Sequence, residues 1–222
     1  MDFLISDEQK QLQDLIHQFI QKDYPFDVRE KLVKTEEGFS KDFWKTFSQF
    51  GLLAMPFSEE DGGFNGGPVD IMIILEAFGT GLIVEPYIPN IVLSGNLVSK
   101  LGSKDQKDAI LPNLLNGDMQ LAFAFSEPQS RFDLNDVTTA AEKDGDGYKL
   151  NGYKCVVMNG PAADKLIVSA RTAGSQLDEN GISLFIVDRE TKGVSLRDYS
   201  NVDGSKASEL TLEDVVLTKD AL

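Results

Sequence analysis

Up to about residue 117 the apolar residues of this chain recur every three or four positions, and beyond residue 121 they alternate with polar ones. The first spacing is that of helices with a buried face, the second that of half-buried strands. Ser6 with Gln9 three positions on has the form of a capping box, and Leu12, Leu15, Ile16, Phe19 and Ile20 follow at helical spacing, so a helix is expected to about Lys22. His17 falls among Gln13, Asp14, Gln18 and Gln21 on the polar side, where a catalytic base has no nucleophile or orienting partner that can be placed near it. Ser40 opens a second helix carrying Phe43, Trp44, Phe47 and Phe50, with Gly51 placed to end it.

Residues 55–68, MPFSEEDGGFNGGP, form a glycine-rich loop. It lacks the Lys-Ser/Thr ending of a nucleotide phosphate loop and follows no clear strand, so packing or close approach to a neighbouring ligand accounts for it better. Pro68 suits the first turn of a helix with Val69, Ile71, Met72, Ile74, Leu75 and Phe78 apolar on more than one side, which implies burial between other helices. Pro86 and Pro89 break the chain before a helix at about 90–101, and a second capping box, Ser103 with Gln106, leads into Ile110, Leu111, Leu114 and Leu115. An all-helical unit of five or six helices, residues 1–117, is expected.

From 118 to 222 the pattern predicts a second, β domain, and hence an α+β chain: an all-helical N-terminal domain followed by an antiparallel β-barrel domain. Strands are expected at 121–125, 137–142, 148–150, 153–158, 165–171, 182–187 and 210–217, with hairpin signals at DGDG (144–147) and Asn151-Gly152. The segment 172–181, TAGSQLDENG, reads as a flexible exposed loop. Between the two domains LAFAFSEPQSRFD (121–133) ends an apolar strand in Ser-Glu-Pro, and Pro128 holds Glu127 extended, so Ser126 and Glu127 stand at a strand end.

Composition narrows the chemistry. The 36 acidic residues outnumber the 21 basic ones and leave a net charge of −15. That argues against a nucleic-acid partner, which needs a Lys/Arg surface. A phosphate-bearing ligand would have to be held by backbone N–H groups, hydroxyls and a few local cations. One cysteine and one histidine cannot assemble a cluster of soft metal ligands. Apolar runs are broken long before the ~20 residues of a membrane span, and MDFLISDEQK has no basic segment leading an apolar one, so no membrane association and a cytoplasmic location are expected.

The order of motifs carries more: the strand-end SEP, then GDGYKLNGYKCVVMNG (145–160), then GISLFIVD (181–188). This series resembles the acyl-CoA dehydrogenase family, whose Thr-Glu-Pro, Leu-Asn-Gly-x-Lys-x-Trp-Ile-Thr-Asn-Gly and Gly-Ile-Ser-x-Phe are met by Ser126-Glu127-Pro128, by Leu150 to Lys154 with Asn159-Gly160, and by Gly181 to Phe185. Within it, FSEPQSRFDLNDV (125–137) and PFSEEDGGFNGGPVDIMIILEAFG (56–79) are similar to the small subunit of the two-subunit pimeloyl-CoA dehydrogenases.

The resemblance implies an FAD-dependent oxidoreductase of fatty acid metabolism and β-oxidation. It removes an α-proton and a β-hydride from an acyl-CoA thioester, acts as a homo-oligomer or with a larger acyl-CoA dehydrogenase subunit, and passes electrons to an electron-transfer flavoprotein. It places the flavin edge at Phe123, Phe125 and Ser126, with Ser126 standing where the family has Thr, and with Val156 and Met158 where the family has the Trp and Thr that cover and bond the flavin. Arg131, Phe132 and Asp133 replace the family's Gly-Ser-Asp beside the acyl-CoA. Arg131 suits a carboxylate or phosphate, or a surface ion pair. LEDVVLTKDAL (212–222) is similar to the last strand before the family's C-terminal helical bundle, which brings the catalytic glutamate. That bundle is expected to be absent, so no catalytic residue is assigned here; Glu127 resembles a structural glutamate. The losses at Val156, Met158 and Phe132 leave open a non-catalytic assembly subunit without flavin.

Overall fold

The structure, a computed structural model, describes residues 5–222. The first four residues of the N-terminal stretch read above lie outside the described residues. The chain forms two compact units: residues up to Tyr87 with Gly95–Asp118, and Ile88–Ser94 with Met119–Leu222.

In the helical unit, α1 (Asp7–Asp23) begins in the expected capping box, with the Gln9 amide donating to Ser6 Oγ at 3.2 Å and the Ser6 amide to Gln9 Oε1 at 3.0 Å. A short α2 (Phe26–Leu32) follows, then α3 (Lys41–Gln49), capped by Ser40. The unit is built on aromatic packing: Phe47 meets Phe19 edge-on at 5.4 Å and stacks on Phe78 at 4.9 Å. Burying each such ring is worth roughly 1.5–3 kcal/mol. His17 is half-buried on α1. In the glycine-rich loop, a Cβ on Gly63 would lie 2.3 Å from the Phe57 carbonyl oxygen and one on Gly66 2.5 Å from that of Met55, so the close approach is to the chain's own backbone. The next helix, α4 (Pro68–Gly81), buries Ile73, Ile74, Ala77 and Phe78, while Met72 is exposed on its outer side.

The helix expected at about 90–101 starts earlier. A π-helical segment, Tyr87–Gly95, contains Pro89 and runs directly into α5 (Asn96–Leu101). Proline is tolerated there because the first residues of a helix have no helical acceptor for their N–H groups. The last helix, α6 (Lys104–Leu115), carries the second capping box.

Glu85, before the π-helical segment, is buried. Its Oε1 accepts a long bond of 3.4 Å from the Ser40 amide and the Tyr24 side chain bonds it, whereas Oε2 is buried with no hydrogen-bond partner. Burial therefore pushes this carboxyl up to about 7. The same burial, with Glu85 beside it, raises the Tyr24 phenol above its ordinary value.

The β unit is a curled mixed sheet of β1 (Leu121–Ala124), β2 (Ala140–Asp144), β3 (Gly147–Met158), β4 (Lys165–Arg171), β5 (Ile182–Asp188), β6 (Val194–Ser200) and β7 (Lys206–Leu217), ordered β1-β4-β2-β3-β7-β6 with β5 on β4. Most pairs are antiparallel, as expected for hairpin-linked strands, but β1 and β2 run parallel to β4. The DGDG hairpin joins β2 to β3 with Asp144 opposite Gly147.

Asn151-Gly152 is not a hairpin. It lies inside the continuous strand β3, at a register shift against β7 between Leu150 and Gly152. Asn151 Oδ1 accepts from the Asp214 amide at 2.8 Å across that shift, and the glycine answers a close approach by Thr139. Strand β6 has no counterpart in the alternation because it is an edge strand carrying Ser, Arg and Asp on exposed positions. The 172–181 loop is largely exposed, yet it is organised around the Arg171 guanidinium, which donates to the carbonyls of Asn135, Gln176, Asp178 and Asn180 at 2.6–2.9 Å.

Polar groups seat the start of the sheet. The Leu121 amide donates to Asn90 Oδ1 at 2.8 Å, Asn90 Nδ2 to Gln120 Oε1 at 2.7 Å, and Asn159 Nδ2 to the Leu121 carbonyl at 3.0 Å.

Candidate active site

Along β1 the side chains alternate. Ala122 and Ala124 are fully buried, while Phe123 and Phe125 are half-buried on the opposite face, their rings 4.9 Å apart. The end of β3 runs beside this strand in the opposite direction: Asn159 bonds Leu121, and the Cys155 amide donates to the Ser126 carbonyl at 2.9 Å. Val156 and Met158 are exposed on this part of β3, 51% and 37% respectively, with Val157 between them fully buried. Phe123, Phe125, Ser126, Val156 and Met158 therefore border one partly open edge. Its chemistry is two aromatic rings, two apolar side chains and a hydroxyl, the Ser126 Oγ lying 3.6 Å from Cys155 Sγ. Such an edge fits a flat, largely apolar ring with a polar rim.

Val156 has φ 52°, in the left-handed region, where a β-branched side chain is strained by about 1–3 kcal/mol. The register of β3 on β7 shifts between Lys154 and Val157, so Val156 sits at a bulge.

Beneath the edge lies a fully enclosed ion pair. Lys154 Nζ is 2.7 Å from Glu127 Oε1 and 3.0 Å from Ser169 Oγ, and both charged side chains have no exposed surface. Glu127 Oε1 also accepts the Thr139 amide at 3.0 Å, and Oε2 accepts the Thr138 amide at 2.8 Å, the Thr138 hydroxyl and Gln129 Nε2 at 2.8 Å. Burial lifts this carboxyl, but the donors from Lys154, Thr138, Gln129 and Thr139 outweigh it and hold it at about 2. Burial also pulls the Lys154 ammonium below its ordinary value, against the pull of Glu127. With all these donors on it, Glu127 is a poor proton acceptor at neutral pH.

Arg131, Phe132 and Asp133 occupy an exposed turn in which the Asp133 amide donates to the Ser130 carbonyl at 2.8 Å. Arg131 has φ 49° and Phe132 is 97% exposed. The three are contiguous but enclose nothing among themselves.

The family models for the acyl-CoA dehydrogenase N-terminal domain and middle domain match residues 6–118 and 122–215. This chain belongs to the acyl-CoA dehydrogenase family. It is 29% identical over 228 residues to a short-chain specific acyl-CoA dehydrogenase of Clostridium acetobutylicum, covering 98% of this chain and 58% of that protein. To a mitochondrial 2-methylacyl-CoA dehydrogenase of Solanum tuberosum it is 34% identical over 222 residues, covering 95% and 52%. Among solved structures, a glutaryl-CoA dehydrogenase of Mycobacterium smegmatis in complex with FADH2 superposes with a TM-score of 0.84 at 25% identity, covering 97% of this chain and 55% of that one. The chain spans about half the length of the curated relatives it matches.

Within this family member, Lys154, Ser169, Thr138 and Thr139 are the residues that sequence reasoning left out of the site. One signal was there: Tyr148, Leu150, Gly152 and Lys154 share a face of β3 by period two, so a lysine occupies an inward position and demands an enclosed counter-charge.

Proposed function

We propose that this chain is the N-terminal and middle part of an FAD-dependent acyl-CoA dehydrogenase, catalysing α,β-dehydrogenation of an acyl-CoA thioester, dicarboxylyl thioesters being one candidate class. The observation that carries this is the edge at which Phe123, Phe125 and Ser126 adjoin Val156 and Met158, in a chain of this family. Phe123 and Phe125 would stack against or border the isoalloxazine, and the Ser126 hydroxyl would bond its pyrimidine rim. Bound FAD would supply the hydride acceptor. Arg131, in its exposed turn, would meet an acidic acyl terminus or a CoA phosphate. Among the described residues we assign no proton acceptor for the α-carbon, since Glu127 is saturated by donors. An oligomeric partner such as a larger acyl-CoA dehydrogenase subunit would complete the site. Electrons would pass on to an electron-transfer flavoprotein, and the location would be cytoplasmic.

The test is co-production with any acyl-CoA dehydrogenase subunit encoded beside it or with any coding sequence that continues the chain. A yellow complex whose flavin absorption bleaches on adding an acyl-CoA is expected. A colourless complex that oxidises no acyl-CoA of any chain length would end this assignment.

A second reading is a non-catalytic assembly subunit. It is favoured by Val156 and Met158 standing at the edge without an aromatic cover, and by Phe132 projecting almost fully into solvent. Stoichiometric FAD held through this chain, lost on Ser126→Ala together with Phe125→Ala, would exclude it.

A further inference from the structure

Enclosing two opposite charges in a sheet is costly, and a pair of aliphatic side chains at the same two positions would commonly serve stability as well or better. The Lys154–Glu127 pair therefore calls for a reason beyond cohesion, and its neighbours supply one. Lys154 is the last residue of β3 in register with β7 before the bulge, so its anchoring fixes where the bulge begins. Next in the chain, the Cys155 amide bonds the Ser126 carbonyl at 2.9 Å, and Val156 is then held at φ 52° with its backbone bonded to the Tyr199 hydroxyl. From the other partner, Glu127 gathers the amides of Thr138 and Thr139 and the side chain of Gln129, which pins the backbone just beyond the strand end. Lys154 Nζ also lies 3.5 Å from the Phe125 carbonyl oxygen. One ion pair thus governs both backbone segments that present Phe125, Ser126 and Val156.

We propose that Lys154 and Glu127 form a positioning pair for the flavin edge: they touch no reacting atom, but hold the Ser126 strand end and the strained Val156 bulge in the one relative placement that can receive the ring. This rests on the flavin assignment made above. Strain at Val156 persists only because its surroundings over-determine it, and the ion pair is the part of those surroundings that is both enclosed and connected to each segment.

The test compares Lys154→Met, Glu127→Gln and Lys154→Arg with the unaltered chain, each produced in the same way as for the flavin test above. It reads FAD affinity by titration, the flavin absorption band shape, and the amide exchange rates of Cys155 and Thr139. Lys154→Met and Glu127→Gln should each weaken FAD binding at least tenfold, blur the flavin band and speed Cys155 exchange at least tenfold, while helical amides such as Ile110 keep their rates. Lys154→Arg, which retains the charge, should recover most of the Cys155 protection and part of the affinity. If Lys154→Met does not fold, Glu127→Gln and Lys154→Arg carry the same comparison. Unchanged Cys155 exchange in a folded charge-removing variant overturns the proposal whatever happens to FAD, and so does FAD affinity within twofold of the unaltered chain. Should the unaltered chain take no FAD at all, the flavin assignment falls, and the proposed role toward the flavin falls with it.

Discussion

Gly152 lies so close to Thr139 that a Cβ on it would stand 2.5 Å from the Thr139 hydroxyl oxygen and 2.7 Å from the Thr139 Cα. The second atom is backbone and cannot swing aside. Gly152→Ala should therefore destabilise the protein by roughly 1–3 kcal/mol, the usual range for forced overpacking. Urea unfolding measures it. An alanine variant with an unchanged midpoint would mean that β2 and β3 can separate there without cost.

That glycine also marks the limit of reading the chain as a string. The sequence signal of an Asn-Gly hairpin is local, whereas the demand on Gly152 comes from Thr139, and Asn151 is tied to the Asp214 amide on β7. Helices α1, α3 and α6 were legible because their caps, Ser6, Ser40 and Ser103, lie three residues from the amides they bond. Strand β6 was not, since an edge strand facing solvent carries little apolar alternation. The candidate edge divides in the same way. Phe123, Phe125 and Ser126 sit together on one short segment, but Lys154 and Glu127 are 27 residues apart, and nothing local names either as the other's partner.

Glu85 and Glu127 set opposite pH limits. Glu127 is held at about 2, below the ordinary 4.5, so its contribution to stability is present above about pH 4.5 and is lost as pH falls toward 2. Glu85 is raised from 4.5 to about 7, so the folded state favours its neutral form. Stability is then full below about pH 4.5 on its account and is lost as pH rises through 7, by about 3 kcal/mol for a shift of that size. Glu85→Gln should be more stable than the unaltered chain at pH 8 and no more stable at pH 4. Thermal unfolding across that range checks it; a constant difference between the two proteins would contradict the assignment.

Val156→Gly should stabilise the chain by about 1 kcal/mol, because glycine adopts φ 52° without the Cβ clash and the valine side chain, half exposed, gives up little buried area. Denaturant unfolding gives the sign. A loss of stability would show that the bulge carries no strain worth relieving.

Arg171 is the hub of the 172–181 loop through three of its backbone carbonyls, and it ties the loop to the Asn135 carbonyl as well. Arg171→Ala should open that loop to protease at Gln176 to Asn180, cutting at least ten times faster than in the unaltered chain, with the core melting only slightly changed. Lysine, a single ammonium in place of a planar fork, should fail to restore resistance. Equal cleavage rates in all three proteins would remove the guanidinium from its role as organiser.

Asn90 is thirty-one residues upstream of the amide it receives at Leu121, and Ile88–Ser94 is grouped with the sheet. The β unit is accordingly discontinuous along the chain, so it cannot be excised with one cut. A fragment starting at residue 118 would leave the Leu121 amide without its acceptor and Gln120 Oε1 without the Asn90 donor. Two boundaries, one on each side of 88–94, are what a grafting or swapping experiment on this sheet has to respect.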